Sequence, residues 1–288
     1  MIKTRKISLA GSGWGAVAAY KSLCRIFPVL EVITKDQYLI KELRECDILL
    51  SDIKLGVAEV IICAGYKEVI SREILKTKEI INVHYSLLPK YRGLHSTVWA
   101  ILNEESELGL TIHRMNEKID DGDIIYQFTT KNDGESTATF YMNMFNDWID
   151  TNLGNIIISY FSGNIKAIKQ DFSRATWVGK RSIEDCEIDF RKDHLYLKTF
   201  FRVLNPPYPK PFFRIKAKAK CYFPSKIVFL ERKINTQIGR ILNIDDKGLY
   251  ISSKDGYVIL SEITDLDGQE IANSKFMIGE YLEKKNGD

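Results

Sequence analysis

The sequence is short of several features, and each shortage removes a class of protein. No apolar run approaches the ~18 residues that a membrane-spanning helix needs, so no membrane partner is expected. The five cysteines, Cys24, Cys46, Cys63, Cys186 and Cys221, are scattered without a close pair. An odd count with no Cys-x-x-Cys spacing argues against a disulfide framework and against a zinc site. No metal is expected, and the thiols read as buried and free in a reducing cytoplasm. Internal repeats and low-complexity tracts are missing. Excess charge is small too, at +3, which is too little to mark a nucleic-acid scaffold or a membrane-surface protein. The first residues, Met1-Ile2-Lys3-Thr4-Arg5-Lys6, are charged. The apolar stretch behind them is short and broken by Gly11 and Gly13, so it reads as a first strand rather than a secretory signal.

What is present is ordinary for a globular protein: 288 residues, 45% hydrophobic and 27% charged. That length buries a large core and suits two domains. Strand-like and helix-like segments alternate through the first half. Ile7–Ala10, Glu31–Thr34, Val57–Ala64 and Glu79–His84 read as strands, and Gly15–Phe27 as a helix. Asp47–Ser51 fits either a strand or a helix end. The alternation predicts an α/β, Rossmann-like, mostly parallel sheet with helices on both faces. Leu110–Met115 and Asp123–Phe128 follow as strands around Gly122, and Ser136 opens a long amphipathic helix to about Phe161.

A helix near Asp193–Leu204 stops at Asn205-Pro206-Pro207, since proline cannot extend a helix and restricts the residue before it. Four of the seven prolines fall in Pro206–Pro211. That segment is the expected boundary between a catalytic domain over 1–205 and a second domain over 206–288. Beyond it, runs at Ile215–Phe223, Ile227–Ile234, Gly239–Ile244, Gly248–Ser253 and Tyr257–Ile263 are separated by Asp/Gly turns. Short strands at even spacing predict a small β-rich, OB-like barrel.

The chemistry concentrates at Ile80-Ile81-Asn82-Val83-His84-Tyr85-Ser86-Leu87-Leu88-Pro89. Residues two apart on a strand share a face, so Asn82 and His84 project together while Val83 faces the other side. Pro89 ends the strand soon after, which puts the pair near the carboxyl edge where open α/β sheets bind ligands. An amide donates to an oxygen that gains negative charge in acyl transfer. An imidazole, with an ordinary pKa of about 6.5, accepts a proton near neutral pH. A third group is expected to hold the imidazole in place. Asp120, Asp121 and Asp123 crowd one turn, and the residues alone do not choose among them.

The run Asn82-Val83-His84-Tyr85-Ser86-Leu87-Leu88-Pro89-Lys90-Tyr91-Arg92-Gly93 resembles the signature of the 10-formyltetrahydrofolate-dependent formyltransferases. Gly109-Leu110-Thr111-Ile112-His113-Arg114-Met115, followed by Ile119-Asp120-Asp121-Gly122-Asp123-Ile124, is similar to that family's second motif. The resemblance implies that the catalytic aspartate opens an Asp-x-Gly-Asp group, which selects Asp120 to join Asn82 and His84. It implies 10-formyltetrahydrofolate as co-substrate, its pteridine between Glu68, Val69 and Ile70 on one side and Met115, Asn116, Glu117 and Lys118 on the other. It also implies a homodimer.

Within the family the acceptor amine belongs to initiator methionyl-tRNA, to a purine-precursor ribonucleotide, or to a nucleotide-linked deoxysugar. Lys35–Asp47 is short and mixed in charge where the tRNA enzymes carry a longer basic loop. Arg92-Gly93-Leu94-His95-Ser96 is similar to the sugar N-formyltransferases, and the purine enzymes lack a substantial second domain. The expected acceptor is therefore a sugar nucleotide, dTDP-4-amino-4,6-dideoxyglucose or its 3-amino analogue. Its product would enter a surface polysaccharide such as lipopolysaccharide O-antigen, from an enzyme working in the cytoplasm. Nucleic acid is not the expected partner. The rivals are a methionyl-tRNA formyltransferase and a non-catalytic folate or sugar-nucleotide binder.

Other features carry two readings each. Gly11-Ser12-Gly13-Trp14-Gly15 lacks the full dinucleotide spacing, because Ala16 stands where a glycine belongs. It reads as a strand-to-helix turn, with Trp14 as a stacking surface for substrate. Lys90 and Arg92 are either solvated or hold phosphates. Arg214–Lys220 alternates basic and apolar residues, giving a solvated basic face or an anion contact. Tyr208 stacks on a base or simply packs.

Overall fold

A computed structural model describes residues 6–204, 208–215 and 220–282. The chain divides into two compact units, Met1–Asp133 with Thr139–Lys180, and Gly134–Ala138 with Arg181–Asp288.

The first unit begins with β1 (Ile7–Gly11), α1 (Gly13–Cys24), β2 (Glu31–Ile33), α2 (Gln37–Glu42) and β3 (Ile48–Leu50). Next come β4 (Val60–Ala64), α3 (Arg72–Thr77), β5 (Glu79–His84), β6 (Arg92–Gly93), α4 (Ser96–Leu102), β7 (Glu107–Arg114) and β8 (Ile124–Lys131). It closes with α5 (Ala138–Phe161) and β9 (Trp177–Val178). Seven strands form one sheet in the order β3-β2-β1-β4-β5-β7-β8. β1 to β5 run parallel, and every residue of β1 and β4 is buried. Strands covered on both faces have no solvent side for polar residues, which is why Ile-Ile-Cys-Ala runs unbroken in β4. Asp47–Ser51 resolves as strand, β3.

The glycine turn after β1 follows from a close approach. A Cβ at Gly11 would sit 2.0 Å from the Ala64 carbonyl oxygen, so only glycine lets β1 and β4 end side by side. The Gly13 N–H donates to the Asp36 carboxylate at 2.6 Å. A carboxylate thus occupies the place where a dinucleotide's pyrophosphate would need a free N–H, in keeping with a glycine run that lacks the full dinucleotide spacing.

β7 turns antiparallel to β5, setting His113 opposite Asn82 and Thr111 opposite His84. This register builds the site. α5 buries Tyr141, Phe145, Ile149, Leu153 and Ile157, spaced four apart along one helical stripe. Phe145 is fully buried against Tyr85, Phe128 and Tyr141. Phe145→Ala should cost about 3–5 kcal/mol of stability through lost burial and a cavity. Urea unfolding checks this, and a loss under about 1 kcal/mol would place Phe145 outside the core.

The second unit contains α6 (His194–Val203), β10 (Phe213–Arg214), β11 (Cys221–Glu231), β12 (Ile241–Asp245), β13 (Gly248–Ser253) and β14 (Gly256–Thr264). Its strands form an antiparallel sheet in the order β10-β11-β14-β13-β12. Among the described residues β10 and β12 do not pair, so the sheet is an open half-barrel rather than a closed one. The expected runs Ile215–Phe223 and Ile227–Ile234 meet in the single strand β11. Pro224 is tolerated there because β10 pairs only with Cys221 and Tyr222, leaving that edge free of the N–H a proline lacks. Residues 216–219, the middle of the basic stretch, lie outside the described residues, as does Asn205–Pro207.

The second unit starts before the prolines. The Ile188 N–H donates to Phe212 O at 2.8 Å and the Phe212 N–H to Cys186 O at 3.0 Å. The His194 N–H donates to the Asp255 carboxylate at 2.9 Å. Residues 181–204 are thereby tied to the second sheet, and the proline-rich segment lies within that unit rather than at its border. All five cysteines are free, but only Cys63 and Cys186 are buried and Cys46 is exposed. Burial pushes the Cys63 thiol up to about 12. No helix among the described residues is long and apolar enough to cross a membrane.

Candidate active site

Asn82 and His84 stand near the end of β5; Asn82 meets His113 on β7, and His84 meets the loop that follows β7. The Asp120 carboxylate approaches the ring of His84, its Oδ2 3.5 Å from Nδ1. Its other oxygen lies 3.6 Å from His113 Nε2. The three side chains expected to act together are together.

The hydrogen bonds assign the ring protons. His84 Nε2 is 2.9 Å from the Tyr91 carbonyl oxygen. A carbonyl only accepts, so Nε2 carries the hydrogen and the neutral ring keeps its lone pair on Nδ1. His113 works the other way: Nδ1 lies 2.8 Å from the Arg114 carbonyl, so Nδ1 donates and Nε2 is bare. Asn82 Nδ2, 3.2 Å from that Nε2, donates to it. One amide hydrogen of Asn82 is fixed in this way, and the other has no partner among the described residues. His113, the Tyr91 carbonyl and Gln170 are parts of the site that the sequence reading did not single out.

His84 is 6% exposed. Burial pushes its pKa below the ordinary value, and the neighbouring His113 ring adds to that. The Asp120 charge and the Tyr91 carbonyl oppose the shift without cancelling it. Burial acts to raise the Asp120 carboxyl, but His113, the His84 ring and the Gly93 N–H outweigh it and hold the group at about 2. His113 Nε2, bare and 3.6 Å away, donates no hydrogen bond to it, so the Gly93 N–H at 2.8 Å is the direct donor to this carboxylate. A neutral base therefore faces an ionised acid in a site largely closed to water.

The turn that presents Asp120 is strained and clamped. Asp120 has φ +49°, a left-handed conformation that costs most residues about 1–3 kcal/mol and aspartate less. Gln170 Nε2 donates to Asp120 O at 2.8 Å and to Gly122 O at 2.7 Å. A Cβ at Gly122 would lie 1.8 Å from Arg114 O, so glycine alone fits there. The Gly93 N–H donates to Asp120 Oδ2 at 2.8 Å. The three crowded aspartates are now distinguishable. Asp120 faces the histidines, Asp121 pairs with Arg92 at 2.6 Å, and Asp123 sits 4.0 Å from Arg114.

Arg92 corrects an expectation. It is 1% exposed, bound to Asp121 and to Gln170 Oε1 at 2.8 Å, with Phe172 and Trp177 against its guanidinium. Its charge is answered inside the protein, so it positions the Asp120 turn instead of holding a phosphate. Lys90 is also paired, its Nζ 2.9 and 3.1 Å from the two Glu105 oxygens. That pair lies in a cavity that the trio does not line.

The two segments expected to flank folate do approach each other. Arg72 Nε, just past Glu68-Val69-Ile70, lies 3.2 Å from the Glu117 carboxylate. Ile70 and Met115 pack against one shared core cluster, while Val69 is 98% exposed. Asn116 caps the loop by accepting from the Lys118 N–H at 2.9 Å and donating to Asp121 at 3.4 Å. Ile70 and Met115 are apolar and only partly buried. Glu68 lines a hollow of about 360 Å³ with Ser12, Thr34 and Gly65, over the carboxyl ends of β1 and β4 where the strand order reverses. Trp14 is 68% exposed and tilts against Tyr38 at 5.8 Å. Tyr208 belongs to the second unit, where burial pushes its hydroxyl up.

Comparison with known proteins gives the family. Residues 21–150 match the Formyl transferase family and residues 180–281 match the Formyl transferase, C-terminal domain. A methionyl-tRNA formyltransferase of Malacoplasma penetrans is 32% identical, over 78% of this chain and 70% of its own. Another, from Fusobacterium nucleatum, is 29% identical over 86% of this chain and 79% of its own. Among solved structures, the N-formyltransferase of Helicobacter canadensis, in complex with folinic acid and dTDP-3-aminofucose, shares the fold. Its TM-score is 0.66 at 18% identity, covering 91% of this chain and 100% of that one. The chain belongs to the formyl transferase family and is a formyl-transferring enzyme.

Proposed function

We propose that the enzyme moves a formyl group from 10-formyltetrahydrofolate to the amine of a nucleotide-linked amino-dideoxyhexose. Asn82, His84 and Asp120 are its catalytic residues. The observation that carries this reading is a buried imidazole with its lone pair on Nδ1, beside an ionised carboxylate and an amide with one hydrogen to spare. The folate supplies the activated formyl carbon. His84 Nδ1 takes the proton of the attacking amine as the new C–N bond forms, and Asp120 balances the positive charge that results; the bond between the formyl carbon and the folate nitrogen then breaks, and His84 returns the proton to that nitrogen, which leaves as tetrahydrofolate. The unpartnered amide hydrogen of Asn82 meets the formyl oxygen as it gains negative charge.

The sugar acceptor is supported by Gly93-Leu94-His95-Ser96 and by the resemblance in fold to an enzyme crystallised with a dTDP-sugar. The dTDP-linked 4-amino or 3-amino sugar, a surface-polysaccharide product, a homodimer and a cytoplasmic site belong to the same reading. The names of the sequence relatives favour initiator tRNA as the second reading.

Mass spectrometry separates the possibilities. The enzyme is incubated with 10-formyltetrahydrofolate and a panel of amino-sugar nucleotides, with methionyl-tRNA in parallel. One carbonyl unit should be gained by a dTDP-amino sugar. Formylation of the tRNA alone overturns the sugar reading, and folate binding without any product means a non-catalytic binder.

A further inference from the structure

A cavity of about 370 Å³ lies apart from the catalytic trio. It is bounded by the segment Tyr85–Tyr91, by β7 and β8, and by Arg174, while Asn82, His84, His113 and Asp120 do not line it. We propose that this cavity is a second binding site, for an uncharged, hydroxyl-rich ring the size of a single pyranose.

Volume, charge and hydrogen bonding each narrow the ligand. The cavity falls at the small end of the roughly 300–1,000 Å³ range of small-molecule pockets. Its cations are Lys90 and Arg174, and its anions are Glu105 and Glu107. Two charges of each sign leave no net field to attract a phosphate or a carboxylate. Lys90 is held by both Glu105 oxygens, and the Tyr91 hydroxyl donates to the same carboxylate at 2.9 Å.

The remaining polar groups are mixed donors and acceptors. Gln127 uses its amide nitrogen on Leu88 O at 2.8 Å and Thr111 Oγ1 at 2.9 Å, which leaves Oε1 as an acceptor. Among the described residues the Thr129 hydroxyl and the Arg174 guanidinium have no hydrogen-bond or ion-pair partner. A sugar hydroxyl both donates and accepts, so a ring of hydroxyls answers this set where a single-sign ligand does not. Leu88, Pro89 and Leu108 are also among the lining residues and supply apolar surface for the C–H face of the ring.

The site touches the catalytic machinery through one segment. Tyr91, whose carbonyl takes the His84 Nε2 hydrogen, lines the cavity, as does Ser86, whose hydroxyl donates to Lys90 O at 2.8 Å. A bound sugar presses on the segment that fixes the His84 tautomer, so occupancy changes kcat more than KM. This coupling rests on the proposed role of His84; the binding itself does not.

The test uses the whole chain, with methyl α-D-glucopyranoside, N-acetylglucosamine and inorganic phosphate as probes in saturation-transfer NMR and titration calorimetry. A glycoside should bind and phosphate should not. Thr129→Trp, which fills the cavity from its rim, and Arg174→Ala should each weaken the glycoside by about tenfold or more. Both positions are exposed, and formyl transfer to the acceptor in the absence of the probe sugars should stay unchanged in both variants. Absence of glycoside binding, preference for phosphate, or affinity indifferent to both substitutions each overturns the site. A bound glycoside that leaves kcat unaltered overturns the coupling. Failure of the acceptor panel would remove the proposed reaction while leaving these binding results intact.

Discussion

His84→Gln lowers kcat by about 10²- to 10⁴-fold, the range for loss of a positioned general base, and leaves KM for both substrates nearly unchanged. Glutamine is chosen because its amide N–H can still donate to the Tyr91 carbonyl that holds the native ring at 2.9 Å. The buried volume is roughly kept, but no group remains that can bind a proton. Only the step in which the amine gives up its proton should suffer. The native pH profile carries the same signature. Burial sets the His84 pKa below its ordinary value against the pull of Asp120. The ring is therefore already neutral at pH 7, and kcat/KM should fall only as pH drops below about 6.5. Stopped assays between pH 5 and 8 check both points. A stable variant that loses binding and turnover equally would remove His84 from the proton transfer and leave it a packing residue.

The parts of this site that were legible in the sequence are those fixed by local geometry. Asn82 and His84 sit two apart on a strand, and a two-residue repeat puts them on one face whatever the rest of the chain does. The parallel sheet was legible for the same reason: runs such as Val60–Ala64 are apolar throughout because both faces are covered. Asp120 was not separable from Asp121 and Asp123 by residue type, and it took a family likeness to choose it. What divides them physically is a left-handed backbone at Asp120, held by Gln170, 50 residues further on.

His113 was inside a quoted motif and still unread, because its role depends on the antiparallel register that sets it opposite Asn82. Tyr91 acts through a backbone oxygen, which no side chain announces. Arg92 reads as a solvent or phosphate residue until Asp121, Phe172 and Trp177 close over it. The domain border was misplaced because prolines mark where a helix ends, whereas the border of a compact unit follows long-range pairings such as Ile188 with Phe212.

Asp120→Asn should lower kcat by about 10²- to 10⁴-fold, comparable to other losses of a carboxylate beside a catalytic imidazole. It should also shift the acid limb of the pH profile. The Asp120 charge raises the His84 pKa, so removing it moves the limb to lower pH. The variant's base is thus free at more acid values yet less effective at every pH. Two causes combine: the imidazolium formed during transfer loses its counter-charge, and a hydrogen of the introduced amide can block the His84 Nδ1 lone pair 3.5 Å away.

Stability moves in a defined window. The folded Asp120 pKa of about 2 lies below the unfolded value, which is about 3.9. Its ionised form therefore contributes stability above about pH 4, of the order of 2 kcal/mol, lost as pH falls towards 2. The introduced amide cannot titrate, so the variant's melting temperature should depend less on pH between about 4 and 2 than that of the native enzyme. Thermal melts across that window, read beside the pH–rate profile, test the carboxylate twice. An acid limb that stays in place in Asp120→Asn would mean that this carboxylate does not act on His84 at all, and the proton-transfer assignment would have to be rebuilt around His113.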